Sequence, residues 1–336
     1  MEDLKEIAKR LVAPGKGIFA ADASPGSMDK RLETIGVEGG EKMRRRYRQM
    51  LLTAPGWGEY IGGVILQDET IKQATDEGKP FVQAIVEAGV IPGIKVDRGT
   101  IEMPNFGGEK VAEGLDGLGK RLAEYYVMGA RFTKWRAVIK IGPEMPSLVC
   151  MRSNAEALAR YASLSQQAGM VPIVEPEVIM EGGHGMDECR KATESAGKVL
   201  IEFLKDHKVD FGGMLYKVNM ILPGRESSIE VSDEEIARQT KEALLAVIPE
   251  TVAGVVFLSG GQNELVATRR LNAINKSEIA VPWRMTFSFE RAFENAAMKV
   301  WLGRDENVAE AQKTLVYRAK MNSLASMGQY LGENDQ

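Results

Sequence analysis

At 336 residues the chain is long enough for a large buried core, and 44% hydrophobic with 27% charged content is ordinary for a globular protein. A net charge of -4 gives no reason to expect nucleic acid or an anionic membrane as a partner, and no run approaches the length of a membrane-spanning helix. The start, Met1-Glu2-Asp3-Leu4-Lys5-Glu6, is charged and amphipathic with no signal-peptide apolar core, so a cytoplasmic address is expected. Two cysteines, Cys150 and Cys189, suit a reducing compartment and make no disulfide framework. Only His184 and His207 occur, too few for a zinc site with three imidazoles from one chain. No G-x-S-x-G elbow is present, and both histidines sit in segments that read as solvated. Catalysis is therefore expected to rest on lysine and carboxylates.

Apolar, β-branched runs alternate with amphipathic helical patterns along the whole chain, the pattern of βα units around a parallel sheet. The first strand, 17–22, ends on Asp22, which on its own reads as a turn or cap former. It is followed by the turn Ser24-Pro25-Gly26-Ser27 and a helical stretch at 42–52. Strands 61–66 and 91–96 come next, the second carrying Lys95 and Asp97 on either side of Val96. A helix at 119–128 is preceded by Gly114-Leu115-Asp116-Gly117-Leu118-Gly119-Lys120-Arg121, a near-match to a nucleotide-binding P-loop. It fails because Arg121 stands where Ser or Thr must bind magnesium and no β-rich run leads into it.

Strand 132–140 carries Lys134 and Arg136 around Trp135. After a helix at 155–167 closed by Gly169, strand 171–178 carries Glu175 and Glu177 around Pro176. A helix at 188–208 leads to strand 213–220 with Lys217 and Asn219 around Val218. A helix at 232–247 begins with the capping-box signature Ser232 and Glu235. Strand 255–259 runs into Leu258-Ser259-Gly260-Gly261-Gln262, and strand 284–289 into Ser288-Phe289-Glu290-Arg291. One or two terminal helices are expected within 305–331. Eight strands with intervening helices and no linker or repeat predict one domain over 1–336, a (β/α)8 barrel with N-terminal and C-terminal helical additions; a doubly wound open sheet is the alternative.

Residues two apart on a strand share a face, so four strands each aim two polar groups to one side. In a barrel such groups point into the top, where charges are costly unless paired or functional. Lys217 lies in an apolar run, Gly213-Met214-Leu215-Tyr216-Lys217-Val218-Asn219-Met220, with Leu215 and Asn219 expected on its face. Desolvation disfavours an ammonium, and a neutral amine attacks a ketone to form a Schiff base. Lys134 and Arg136 are cations suited to favour the neutral form of a neighbouring amine, and Glu175 and Glu177 can divide acid and base work. The glycine loop at Ser259 and Gly260, and the helix start at Ser288 and Arg291, are two phosphate-type elements after the last two strands, where barrels often hold phosphate.

With these residues in place, the chain closely resembles the Schiff-base (class I) fructose-bisphosphate aldolases over about 7–330. The resemblance is carried by Val12-Ala13-Pro14-Gly15-Lys16-Gly17, Ala20-Ala21-Asp22, Gly62-Gly63-Val64-Ile65-Leu66, Gly93-Ile94-Lys95-Val96-Asp97, Lys134-Trp135-Arg136, Val171-Pro172-Ile173-Val174-Glu175-Pro176-Glu177, Phe257-Leu258-Ser259-Gly260-Gly261-Gln262 and Leu271-Asn272-Ala273-Ile274-Asn275-Lys276. It implies a (β/α)8 barrel that needs no metal or other cofactor, acts on sugar phosphates in glycolysis and gluconeogenesis, and commonly forms homotetramers. It implies Lys217 as the Schiff-base lysine, Glu175 as the acid that dehydrates the carbinolamine, and Asp22 as the base on the C4 hydroxyl. Glu177 and Lys134 would sit beside the imine. Ser259, Gly260 and Arg291 resemble the C1 phosphate site, while Ser27, Arg31, Lys95 and Arg136 resemble groups holding the hydroxyls and the C6 phosphate.

The chain departs from the family pattern at Ala23 (usually Glu), Val218 (usually Pro) and Glu290 (usually Gly), and stops at Gln336 short of the tail that ends in Tyr in animal members. Activity is expected to be retained with altered rate or sugar preference, and protonation of the enamine carbon to fall to another group or water. The alternatives are a lysine Schiff-base aldolase or transaldolase for another sugar phosphate, and a non-catalytic barrel used as a scaffold.

Overall fold

The computed structural model describes residues 2–332. In chain order it runs α1 (Leu4–Leu11), β1 (Gly17–Ala20), α2 (Pro25–Glu33), α3 (Glu41–Leu52), β2 (Ile61–Leu66), α4 (Asp68–Ile71), α5 (Phe81–Glu87), β3 (Ile91–Lys95), β4 (Thr100–Glu102), β5 (Lys110–Ala112), α6 (Leu118–Val127) and β6 (Phe132–Ile139). It continues through α7 (Leu148–Gln167), β7 (Val171–Val178), α8 (Met186–Asp206), β8 (Leu215–Val218), α9 (Asp233–Leu245), β9 (Gly254–Phe257), α10 (Glu264–Lys276), β10 (Arg284–Phe289), α11 (Arg291–Trp301) and α12 (Val308–Ser326). Eight of these strands close on themselves in the order β1-β10-β9-β8-β7-β6-β3-β2, every neighbouring pair parallel. The closure excludes the open doubly wound sheet.

The eight barrel strands are those expected from the β-branched runs. The antiparallel hairpin of β4 and β5 was not anticipated, because its strands are three residues long and Thr100–Glu102 is largely exposed, with no apolar alternation to betray it. Helix ends follow their caps: the Ser232 side chain accepts from Glu235 N, and Gly169, at φ +79°, takes the left-handed turn that ends α7. The terminal region forms one long helix, α12, which packs against α3, α10 and α11.

The barrel interior is layered by the two-residue period of its strands. Ile18, Ala20, Ile65, Ile91, Phe132, Ile173, Leu215 and Val256 meet as an apolar floor. Its centre is filled by the Phe132 ring: a Cβ at Gly93 would lie 2.3 Å from that ring and one at Gly63 2.9 Å. The two glycines are thus the space into which the ring fits. Two residues beyond Phe132, Ile173, Leu215 and Ala20 come Lys134, Glu175, Lys217 and Asp22, so the same faces that build the floor carry the charges above it. Among the described residues no helix is long and apolar enough to cross a membrane.

Candidate active site

A cavity of ≈ 1070 Å³ opens at the carboxyl ends of the barrel strands. Four buried charged side chains lie at its base. Lys134 Nζ stands 2.8 Å from Asp22 Oδ2 and 3.0 Å from Glu175 Oε2, and Lys217 Nζ stands 3.0 Å from Glu175 Oε1. The Glu175 carboxylate therefore lies between the two amines, and Lys134 joins it to Asp22. All four are at most 5% exposed.

Burial alone would raise both carboxyls, but Lys134 and Lys217 outweigh it. Asp22 is held down at about 2, and Glu175 is held below its usual value. Burial likewise works against the Lys134 ammonium, yet Asp22 and Glu175 beside it keep its pKa above the ordinary lysine range. Lys134 is thus a fixed positive charge between two ionised carboxylates.

The remaining expected residues spread up the cavity walls. Lys95, at the end of β3, pairs with Asp97 Oδ1 at 2.5 Å, and Arg136 pairs with Glu177 through Nε. Both pairs line the cavity. Asp97 also accepts from Arg136 N at 3.2 Å, which ties the β3 and β6 ends together. Across the cavity, Ser259 and Gly260 follow β9, while Ser288 ends β10 and Arg291 opens α11. Gly260 has φ +57°, the backbone state that glycine permits in such a loop. Ser288 is buried and its hydroxyl has no hydrogen-bond partner among the described residues, leaving it free for a ligand. Ser27, in the first turns of α2, lines the rim and hydrogen-bonds Ser24 Oγ at 2.9 Å.

Arg31, Asn219 and the two histidines are placed differently from the expectations above. Arg31 does not line the cavity. Its guanidinium binds Glu290 at 3.0 Å, Glu294 at 2.5 Å and Asn295 at 2.8 Å, and so fastens α2 to the start of α11. Asn219 does not share the Lys217 face, because strand pairing ends at Val218; it turns back to receive Val178 N and to donate to Thr193 on α8. His184 is buried rather than solvated, and burial lowers its pKa; His207 is half-buried against Glu156.

Sequence reasoning missed Arg225, Arg98 and Ser24, all of which line the cavity. They come from loops, where no periodicity marks a side chain's direction. Arg121 also reaches the wall and is spent on the carbonyls of Val96 and Gly114, a structural use for the P-loop look-alike. Glu290 lines the cavity, and burial together with the neighbouring Asp22 raises its pKa against the pull of Arg31. Among the described residues no group of three or more His, Cys, Asp or Glu is arranged to hold a metal ion.

Lysines and carboxylates are thus joined at the carboxyl-end cavity of a closed parallel barrel, and the comparisons with known proteins assign that barrel to a lyase family. The family model described as "Glycolytic: Fructose-bisphosphate aldolase class-I" matches residues 3–336. The cytosolic fructose-bisphosphate aldolase 5 of Arabidopsis thaliana is 48% identical over 98% of this chain and 92% of its own. Fructose-bisphosphate aldolase 2 of Caenorhabditis elegans is 45% identical over 99% and 91%. A crystal structure of fructose-bisphosphate aldolase from Plasmodium falciparum, in complex with TRAP and a small molecule inhibitor, superposes with a TM-score of 0.96 at 40% identity, covering 98% of this chain and 95% of that one. The chain belongs to the class-I fructose-bisphosphate aldolase family.

Proposed function

We propose that the chain cleaves fructose 1,6-bisphosphate reversibly to dihydroxyacetone phosphate and glyceraldehyde 3-phosphate through a Schiff base on Lys217, without a metal. The observation that carries this reading is the Glu175 carboxylate held 3.0 Å from Lys217 Nζ and 3.0 Å from Lys134 Nζ. Glu175 is ionised in the resting site, so its acid form is made during turnover by a proton handed across from Lys217 Nζ. The neutral amine attacks the C2 ketone, and Glu175 returns that proton to the departing hydroxyl, so that water leaves and an iminium remains.

Asp22 then takes the proton of the C4 hydroxyl. The C3–C4 bond breaks, its electron pair passes into the iminium, and the aldehyde departs from an enamine on Lys217. Protonation at C3 and hydrolysis release the second product. Lys134 holds its positive charge beside Asp22 and Glu175 throughout, stabilising both carboxylates as protons move. Since the iminium is the electron sink, no step requires a Lewis acid. Ser259, Gly260, Ser288 and Arg291 would receive one phosphate, while Lys95, Arg136 and Ser27 would hold the hydroxyls and the other phosphate, with Glu177 keeping Arg136 in place. Arg31, committed to α11, is given no direct contact with substrate.

The relatives' names support a cytoplasmic setting, and the family resemblance supports a homotetramer; we propose both for this chain. A coupled assay tests the reaction. Fructose 1,6-bisphosphate should be cleaved in excess EDTA, and Lys217→Met should reduce the rate to background. Turnover that dies with EDTA, or that survives Lys217→Met, would contradict the mechanism. Turnover confined to fructose 1-phosphate or sedoheptulose bisphosphate would instead favour a related aldolase of different sugar preference.

A further inference from the structure

Arg225 stands against the glycine loop that follows β9, in the cavity that Ser259, Gly260 and Arg291 also line. Its Nη2 donates to Gly260 O at 3.3 Å. A Cβ on Gly261, which has φ +80°, would stand 1.9 Å from that same nitrogen, so the guanidinium lies directly against a residue with no side chain. The segment bearing it is fixed from behind at three successive residues. Gly224 N donates to His184 O at 2.8 Å, Arg225 N to Met180 O at 2.9 Å and Glu226 N to Gly182 O at 3.1 Å. Gly224 is itself needed there, since a Cβ would lie 2.1 Å from Gly182 O. A rigid backbone thus presents an exposed guanidinium to the cavity mouth.

The chemistry left open is specific. Lys95, Arg136 and Lys134 are engaged by carboxylates, whereas among the described residues no carboxylate pairs with Arg225 or Arg291. Glu290 also lines this cavity but is paired with Arg31, so a dianionic group entering here meets two arginine charges, Arg225 and Arg291. A guanidinium offers a planar fork of donors matched to phosphate oxygens, and it retains that fork while one N–H rests on a carbonyl.

We propose that Arg225 clamps the substrate phosphate lodged at the Ser259–Gly260 loop, so that it sets the preference for phosphorylated over unphosphorylated ketones. The proposal rests on the Schiff-base reading above for its substrate, but not for its anion. Calorimetric titration with inorganic phosphate is compared for wild type, Arg225→Ala and Arg225→Lys. A solvent-facing charge-assisted contact is worth about tenfold in affinity. Phosphate should therefore bind about tenfold more weakly to Arg225→Ala, with part of the loss restored in Arg225→Lys. KM for fructose 1,6-bisphosphate should rise similarly, with a smaller change in kcat. Borohydride trapping should weaken for dihydroxyacetone phosphate far more than for dihydroxyacetone. Equal phosphate affinity in wild type and Arg225→Ala, at matched thermal midpoints, overturns the proposal. Equal weakening of both ketones overturns it too, since that points to a structural role. A wild type that turns over no ketone contradicts the function proposed above, while the phosphate titration still decides Arg225.

Discussion

Lys134 holds two carboxylates at once, and the consequence can be read in acid. Asp22 has its pKa depressed from 3.8 to about 2, because Lys134 and Lys217 overcome the effect of burial. A carboxylate with a lowered folded-state value stabilises the fold fully above its unfolded pKa and loses that contribution as pH falls through the folded one. The contribution should therefore be complete above about pH 4 and fade towards pH 2, a difference on the order of 2 kcal/mol. Denaturant titrations of wild type and Asp22→Asn at successive pH values check it. The wild-type stability should fall more steeply below pH 4 than that of the variant; parallel curves would show that Asp22 carries no such linkage. Lys134, Glu175 and Lys217 were legible in sequence because each sits two residues past an apolar floor residue on a regular strand. Arg31 was not. Its position on α2 leaves two directions open, and only the arrival of Glu290, Glu294 and Asn295 from some 260 residues away decides between them.

At the scale of elements, strand registers turn this side-chain alternation into a site. Lys95 is the register partner of Lys134, and Arg136 that of Glu175, so charges from neighbouring strands rise to one level. The floor beneath them depends on the fit of Phe132 against Gly93 on β3. Gly93→Ala should force the ring aside and lower stability by roughly 1–3 kcal/mol. Pairing it with Phe132→Leu should recover part of that loss, because the clash goes with the ring. Urea midpoints for the single and double variants test the fit, and an unshifted midpoint for Gly93→Ala would show that the floor has room to spare. The barrel strands could be read from β-branched runs with terminal turn residues, as at β7 and β9. The hairpin of β4 and β5 could not, because pairing between residues eight to twelve apart, not local pattern, defines it. Arg225 was hidden for a related reason: Pro223-Gly224 announces a turn, but not the neighbours on which the turn lands.

For the whole molecule, closure of the sheet does two things together. It removes the free edges at which strands would pair with other chains, and it converges the ends of distant segments on one cavity. Asp22, Lys134, Glu175 and Lys217 span almost two hundred residues of sequence, yet each touches another of the four within 3.0 Å. That convergence gives Lys217 a carboxylate neighbour inside an enclosed cavity, and in the mechanism proposed above this amine becomes covalently bound to substrate. Borohydride reduction in the presence of fructose 1,6-bisphosphate, followed by peptide mass mapping, shows whether that bond forms and on which lysine. A substrate-dependent adduct on Lys217, absent without sugar phosphate, is the expected result. A folded protein that yields no adduct, or one modified on Lys134 instead, would contradict it.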